Sequence, residues 1–274
     1  MTQLINTMPA AADLTYGWHR GFHNVIRSEF AKFFTVRSTY WMLAAAIVFN
    51  VGLAAALAIF VPGALSAQDM AAVDPTRLSL GGIHLSQVAF GVLGVLIITG
   101  EYGTGAIRTT FAAIPQRRRV LAAKAIVFST TTLVLGILSS FAAFLVFQAL
   151  LSGDALRTTL GDPGVLRAVF GGGLYVTVLG LLGLGLGAIV RSSAGAISAL
   201  LGLLFVPPLL TGLLPPAWQA TIRPYVPMEA GSQIFIVVNH EPNSLDPWTG
   251  FGFFALYAAI ALTIGFVLIR HRDA

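Results

Sequence analysis

Cysteine is absent from this 274-residue chain, so no disulfide framework, thiolate metal site or cysteine nucleophile is open to it. Charge is scarce as well: Asp, Glu, Lys and Arg make up 10% of residues, against roughly 25% in soluble domains. Lysine occurs twice, as Lys32 in FAKF and Lys124 in AAKA, and no Gly-x4-Gly-Lys-Ser/Thr sequence exists, which excludes ATP binding through a Walker loop. Five histidines are present, but only His84 falls in an apolar run, so no paired axial ligands for a buried haem are expected. A solitary histidine there reads as a packed or pore-facing side chain. The first 39 residues lack an apolar h-region, and no cleavable secretory signal is expected.

What remains is apolar. Hydrophobic residues form 56% of the chain and the mean hydropathy is +0.83, which places it in the membrane class. Six runs, near 40–61, 79–100, 125–151, 168–190, 193–214 and 249–269, are long enough to cross a hydrocarbon core of about 30 Å. They lack strand alternation, so an all-α membrane protein of six transmembrane helices is expected rather than a barrel. No Asp, Glu, Lys or Arg falls inside these windows. That weighs against an ion-coupled carrier, because proton and ion paths are built on intramembrane ionisable groups.

Orientation follows from the basic residues. Twelve of sixteen lie on one side: Arg20, Arg27, Lys32 and Arg37, five between 108 and 124, Arg191, Arg270 and Arg272. Only Arg77, Arg157, Arg167 and Arg223 lie on the other. The positive-inside rule then puts both termini and residues 100–124 in the cytoplasm, as a multi-pass protein of the cell inner membrane. The net charge of +5 is accounted for by this asymmetry, with membrane lipids and not nucleic acid as the surroundings.

Several local patterns refine this outline. Residues 1–39 form a cytoplasmic N-terminus in which Phe22, Ile26, Phe30 and Phe33 recur at helical spacing, an amphipathic helix suited to the membrane interface. Residues 40–274 form the transmembrane domain. Glycines at 171–173, 180, 183, 185 and 187 allow close approach along the fourth span. Pro207 and Pro208 should kink or end the fifth. Tyr40, Trp41 and Trp248 fit interfacial anchors. Residues 215–248 are too apolar for an open loop and too broken by Pro216, Pro224 and Pro227 for a span, which suits short outer re-entrant helices with their backbone groups buried in protein. Within the spans, Asn50 and Gln87 are polar: they serve a substrate path or interhelical hydrogen bonds.

The segment GEYGTGAIRTTFAAIPQRRRVLAAK, residues 100–124, concentrates charge between two spans. Gly103 and Gly105 let the chain turn, Thr104 is expected to cap a short helix, and Pro115 to stop it. Ile107, Phe111 and Ile114 then share one face, an apolar stripe suited to a groove on another protein. The order of a basic amphipathic N-terminal helix, SEFAKFFTVRSTYW, the 100–124 segment, and Pro227, Ala230 and Gly231 in the outer segment resembles the type-2 ABC transporter permeases. The resemblance covers roughly residues 20–274 and implies a coupling helix seated on a separate ABC ATPase subunit that carries ATP and Mg. It also implies a second permease copy or paralogue, and export of a hydrophobic or amphipathic substrate between the two. Glu101, Thr104, Gly105, Ile107, Arg108 and Phe111 would meet the ATPase. The chain itself would be a transport subunit and not an enzyme, with no cofactor of its own. Competing readings are an intramembrane enzyme or lipid-binding protein using His240, Glu241 and Asp246, and an ion-coupled secondary carrier.

Overall fold

A computed structural model describes residues 11–66, 70, 73–114, 116–238 and 243–271, with side chains from residue 21 onward. The described chain is helical, and no strand occurs among the described residues. Helix α1 spans Ala11–Thr35, α2 Arg37–Ala64, α3 Pro75–Ser79, α4 Ile83–Gly103, α5 Ala106–Ala113 and α6 Arg117–Leu150. Then come α7 Val165–Val190, α8 Ser193–Thr211, α9 Pro216–Ile222, α10 Pro227–Ser232 and α11 Pro247–His271. Six of these, α2, α4, α6, α7, α8 and α11, are long and apolar enough to cross a membrane, as the six runs require.

Helix α7 is the centre, packed against α4, α6, α8 and α11. Its glycines explain why: a Cβ on Gly94 of α4 would run into the Gly180 backbone, and one on Gly173 into the backbone of Ile137 on α6. Backbones meet here with no side chain between them, so packing is by direct contact of helix surfaces. Around this seam Tyr175 is fully buried, stacked on Phe254 with centroids 5.0 Å apart and edge-on to Phe235 at 5.2 Å.

The helix limits depart from the apolar runs where local chemistry intervenes. Helix α4 starts at Ile83 rather than 79, because α3, capped by Asp74, and a Gly81–Gly82 turn occupy the preceding residues. Helix α6 starts at Arg117, so the arginine run and Lys124 are helical and not loop. Pro207 and Pro208 do not end α8, which continues to Thr211, nearly one turn beyond them. Tyr40, Trp41 and Trp248 are exposed.

At the end of the bundle opposite Arg117, residues 227–238 fold inward. Pro227, Ala230, Gly231, Ile234 and Phe235 are buried, so this segment is part of the core and not a surface loop. Its free backbone groups are met by two side chains. The Arg167 guanidinium donates to the carbonyls of Gln233 (3.4 Å), Ile234 (2.7 Å) and Ile236 (2.9 Å). Asp74 Oδ2 accepts from the amides of Val237 (2.9 Å) and Val238 (3.0 Å), while Oδ1 caps α3 through Thr76 and Arg77. Such pairing is what buried irregular backbone needs.

Candidate functional site

The end of the bundle carrying Arg108 and Arg117 to Arg119 is its basic end, and its interior holds four charges. Glu29 lies on α1 with Lys32 one turn later, Glu101 lies in the last turn of α4, and Lys124 lies two turns into α6. Lys124 Nζ is 2.7 Å from Glu29 Oε2 and 2.6 Å from Glu101 Oε1. Lys32 Nζ is 2.8 Å from Glu29 Oε1, 3.1 Å from Glu101 Oε1 and 3.3 Å from Thr110 Oγ1. Both lysines of the chain are therefore used in one closed, neutral ring of charges that ties α1, α4, α5 and α6 together.

Burial makes this ring consequential. The Lys124 and Glu29 side chains are 2% and 4% exposed, and an unpaired charge in such a place is strongly disfavoured. Lys32 is more open, at 41%. Burial is the largest single influence on its ammonium and works to lower its pKa, but the hydrogen bonds and charges of Glu29 and Glu101 together hold it above the usual 10.5.

Helix α5 is set by backbone geometry. Gly105, its N-cap, has φ of 73°, a left-handed conformation that glycine adopts without strain. Thr104 is not the N-cap expected from the sequence: it closes α4, and its hydroxyl donates back to the Gly100 carbonyl at 2.9 Å. Ile107 and Phe111 are buried at 2% and 8% within the chain's own core, with Arg117 over the Phe111 ring at 5.2 Å. The stripe thus faces the spans, while Arg108, Ala112 and Ala113 face outward and the exposed Thr109 borders the basic-end cavity. Ile114 ends the helix; Pro115 lies outside the described residues.

On α1 the expected stripe divides between core and surface. Val25, Glu29 and Phe33 are the helix's buried residues, whereas Phe30 is 52% exposed. Of the expected interfacial stripe, Phe33 lies in the core and Ile26 packs against it while Phe30 stays exposed, and the buried strip also takes in a carboxylate, Glu29.

Asn50 and Gln87 lie inside the bundle in interhelical hydrogen bonds. Asn50 Nδ2 donates to Ser139 Oγ at 2.9 Å, and the Tyr175 hydroxyl donates to Gln87 Oε1 at 2.5 Å. Both residues are at most 2% exposed, and their hydrogen bonds pack helix against helix. His84 is enclosed beside Phe235, ring centroids 5.7 Å apart, with no hydrogen-bond partner on Nδ1. His240 and Glu241 lie outside the described residues, and Asp246 is exposed.

A cavity of about 550 Å³ opens at the basic end, bordered by the charge ring, α5 and the first turn of α2. A smaller one of about 210 Å³ lies at the opposite end beside Arg223 and Glu229. No cluster of three or more metal-binding side chains occurs among the described residues. Sequence reasoning missed Glu29, Asp74 and Arg167 as organising residues. The signal available was Lys124 itself, a lone cation among alanines in a helix, which needs a partner.

Compared with known proteins, the chain matches no family model and no curated sequence.

Proposed function

We propose that this chain is the membrane-spanning permease subunit of an ATP-binding cassette exporter, moving a hydrophobic or amphipathic substrate outward. A separate ABC ATPase holding ATP and Mg supplies the energy, and a second permease copy or paralogue completes the path. In this reading the basic end and both termini are cytoplasmic in the cell inner membrane, α1 lies at the interface, α5 is the coupling helix, and α9 and α10 are the outer re-entrant helices.

The observation that carries it is the seating of α5. A short helix at the basic end turns Arg108 and Ala112 outward, while Ile107, Phe111 and the Lys32–Thr110 hydrogen bond fasten it to α1, α4 and α6. A push on that outer face is carried into two spans at once, because Glu101 and Lys124 close the ring. Glu101, Thr104, Gly105, Ile107 and Phe111 then act by holding α5 in place, and Arg108 by direct contact. The lack of a Walker loop in the chain fits a division of labour with an ATPase.

The test is the double substitution Arg108→Glu and Ala112→Arg, which changes only outward positions. The chain should stay monodisperse in detergent and lose co-purification of an ATPase identified by its own Walker sequence. Unchanged recovery of the ATPase with unchanged ATP-driven transport overturns the assignment.

A further inference from the structure

The cavity at the basic end has a polarity that selects a ligand class. One wall is apolar, formed by Phe33, Met42, Leu93, Leu96 and Ile97. The rest of the lining carries the charge ring and the hydroxyls of Thr35, Ser38, Thr39, Thr104, Thr109 and Thr110. At about 550 Å³ it falls within the range of small-molecule sites.

The ring offers little to a charged ligand. The three donors of the Lys32 ammonium are matched by Glu29, Glu101 and Thr110, and the Lys124 ammonium is enclosed between two carboxylates. An anionic head therefore finds no free ammonium. Both oxygens of Glu29 are bonded, Glu101 Oε1 receives both lysines, and Glu101 Oε2 is enclosed. A cationic head therefore finds no open carboxylate.

The hydroxyls are different. Thr35 donates to the Lys32 carbonyl at 3.1 Å, Thr104 to Gly100 at 2.9 Å, and Thr109 to Ala106 at 2.8 Å. With each proton turned to its own helix, the oxygen lone pairs remain as acceptors, and all three residues are exposed. At these three positions the wall therefore presents acceptors, and Ser38 and Thr39 add two more hydroxyls, able to accept as well, to the same lining.

We propose that this cavity binds an uncharged amphiphile whose head carries hydroxyl donors and whose single apolar chain lies along Phe33, Met42, Leu93 and Ile97. Access is from the adjoining membrane leaflet beside the break between α1 and α2 at Val36. The site belongs to this chain alone, so it stands or falls separately from the transport assignment.

The test uses the full chain in nanodiscs of dioleoylphosphatidylcholine, whose head has no hydrogen-bond donor. A photoactivatable 1-monooleoylglycerol should label residues 33–42 and 93–109 saturably, with unlabelled monooleoylglycerol competing far better than methyl oleate, oleic acid or oleylamine. Ile97→Trp, which fills the apolar half, should abolish this labelling. The pair Thr35→Val and Thr109→Val should weaken it about five- to tenfold, the loss of two neutral hydrogen bonds, with an unchanged elution profile and thermal midpoint. Equal competition by methyl oleate, stronger competition by oleic acid or oleylamine, or full labelling of the Ile97→Trp protein overturns the proposal.

Discussion

Lys124 and Glu29 are 95 residues apart in sequence and 2.7 Å apart in space, with almost nothing of either side chain exposed. Their pairing joins the N-terminal helix to the third span, and Glu101 shares the same ammonium.

Lys124→Met leaves two carboxylates buried with only Lys32 to balance them. Removing one partner of a buried pair costs about 3–5 kcal/mol, so the thermal midpoint in detergent should fall steeply. The double variant Lys124→Met and Glu101→Gln keeps the Glu29–Lys32 pair and removes the excess charge. It should recover much of the loss, and a double variant no more stable than the single one would show that charge balance is not what Lys124 provides.

Lys32 is the most open member at 41%, but Lys32→Ala leaves the same two enclosed carboxylates to Lys124 alone, so its cost should exceed the roughly 0.2–1 kcal/mol of an exposed pair and stay below the roughly 3–5 kcal/mol of a fully buried one. Its folded pKa lies above the usual 10.5, so its contribution is fully present below that value and is lost as pH rises through the folded pKa. Thermal midpoints measured from pH 8 to 12 should show an alkaline decline that is smaller in Lys32→Ala than in the parent protein.

Asp74→Ala removes the acceptor for the Val237 and Val238 amides and the cap of α3 together. Hydrogen exchange should quicken at residues 237–238 and at 76–77, while the core of α7 stays protected. Each orphaned amide costs about 1–3 kcal/mol where water cannot reach it. Unaltered exchange at 237–238 would mean that other groups hold this segment.

Gly94→Ala forces a methyl group into the Gly180 backbone, and overpacking of this kind costs about 1–3 kcal/mol or more when backbone must move. Gly202→Ala has open space at the same distance and serves as the comparison. Thermal midpoints should separate the two, the first falling and the second holding or rising.

The six spans were legible because length and hydropathy are local properties of the chain, and lipid permits few alternatives. Helix α5 was legible too, from Gly105 and the spacing of Ile107 and Phe111. What periodicity could not say was which surface that stripe meets: it reports residues sharing a face, and both residues turned out to face their own core. Glu29 was illegible for a related reason. Its partner lies in another helix, and only Lys124, a lone cation among alanines, hinted that charge was being used inside the protein. Arg167 was read only as a charge on the sparsely basic side and Asp74 was not singled out, yet both serve the backbone of a segment far along the chain.

That separation has a consequence for synthesis. Asp74 precedes Val237 by 163 positions, so while the chain emerges its second carboxylate oxygen lacks these amide partners until α8 and the segment after it have been made. The end of the bundle that holds Asp74 is therefore completed late in translation. A ribosome-bound chain that ends short of residue 237 holds most of its helices and still lacks the clasp that closes them.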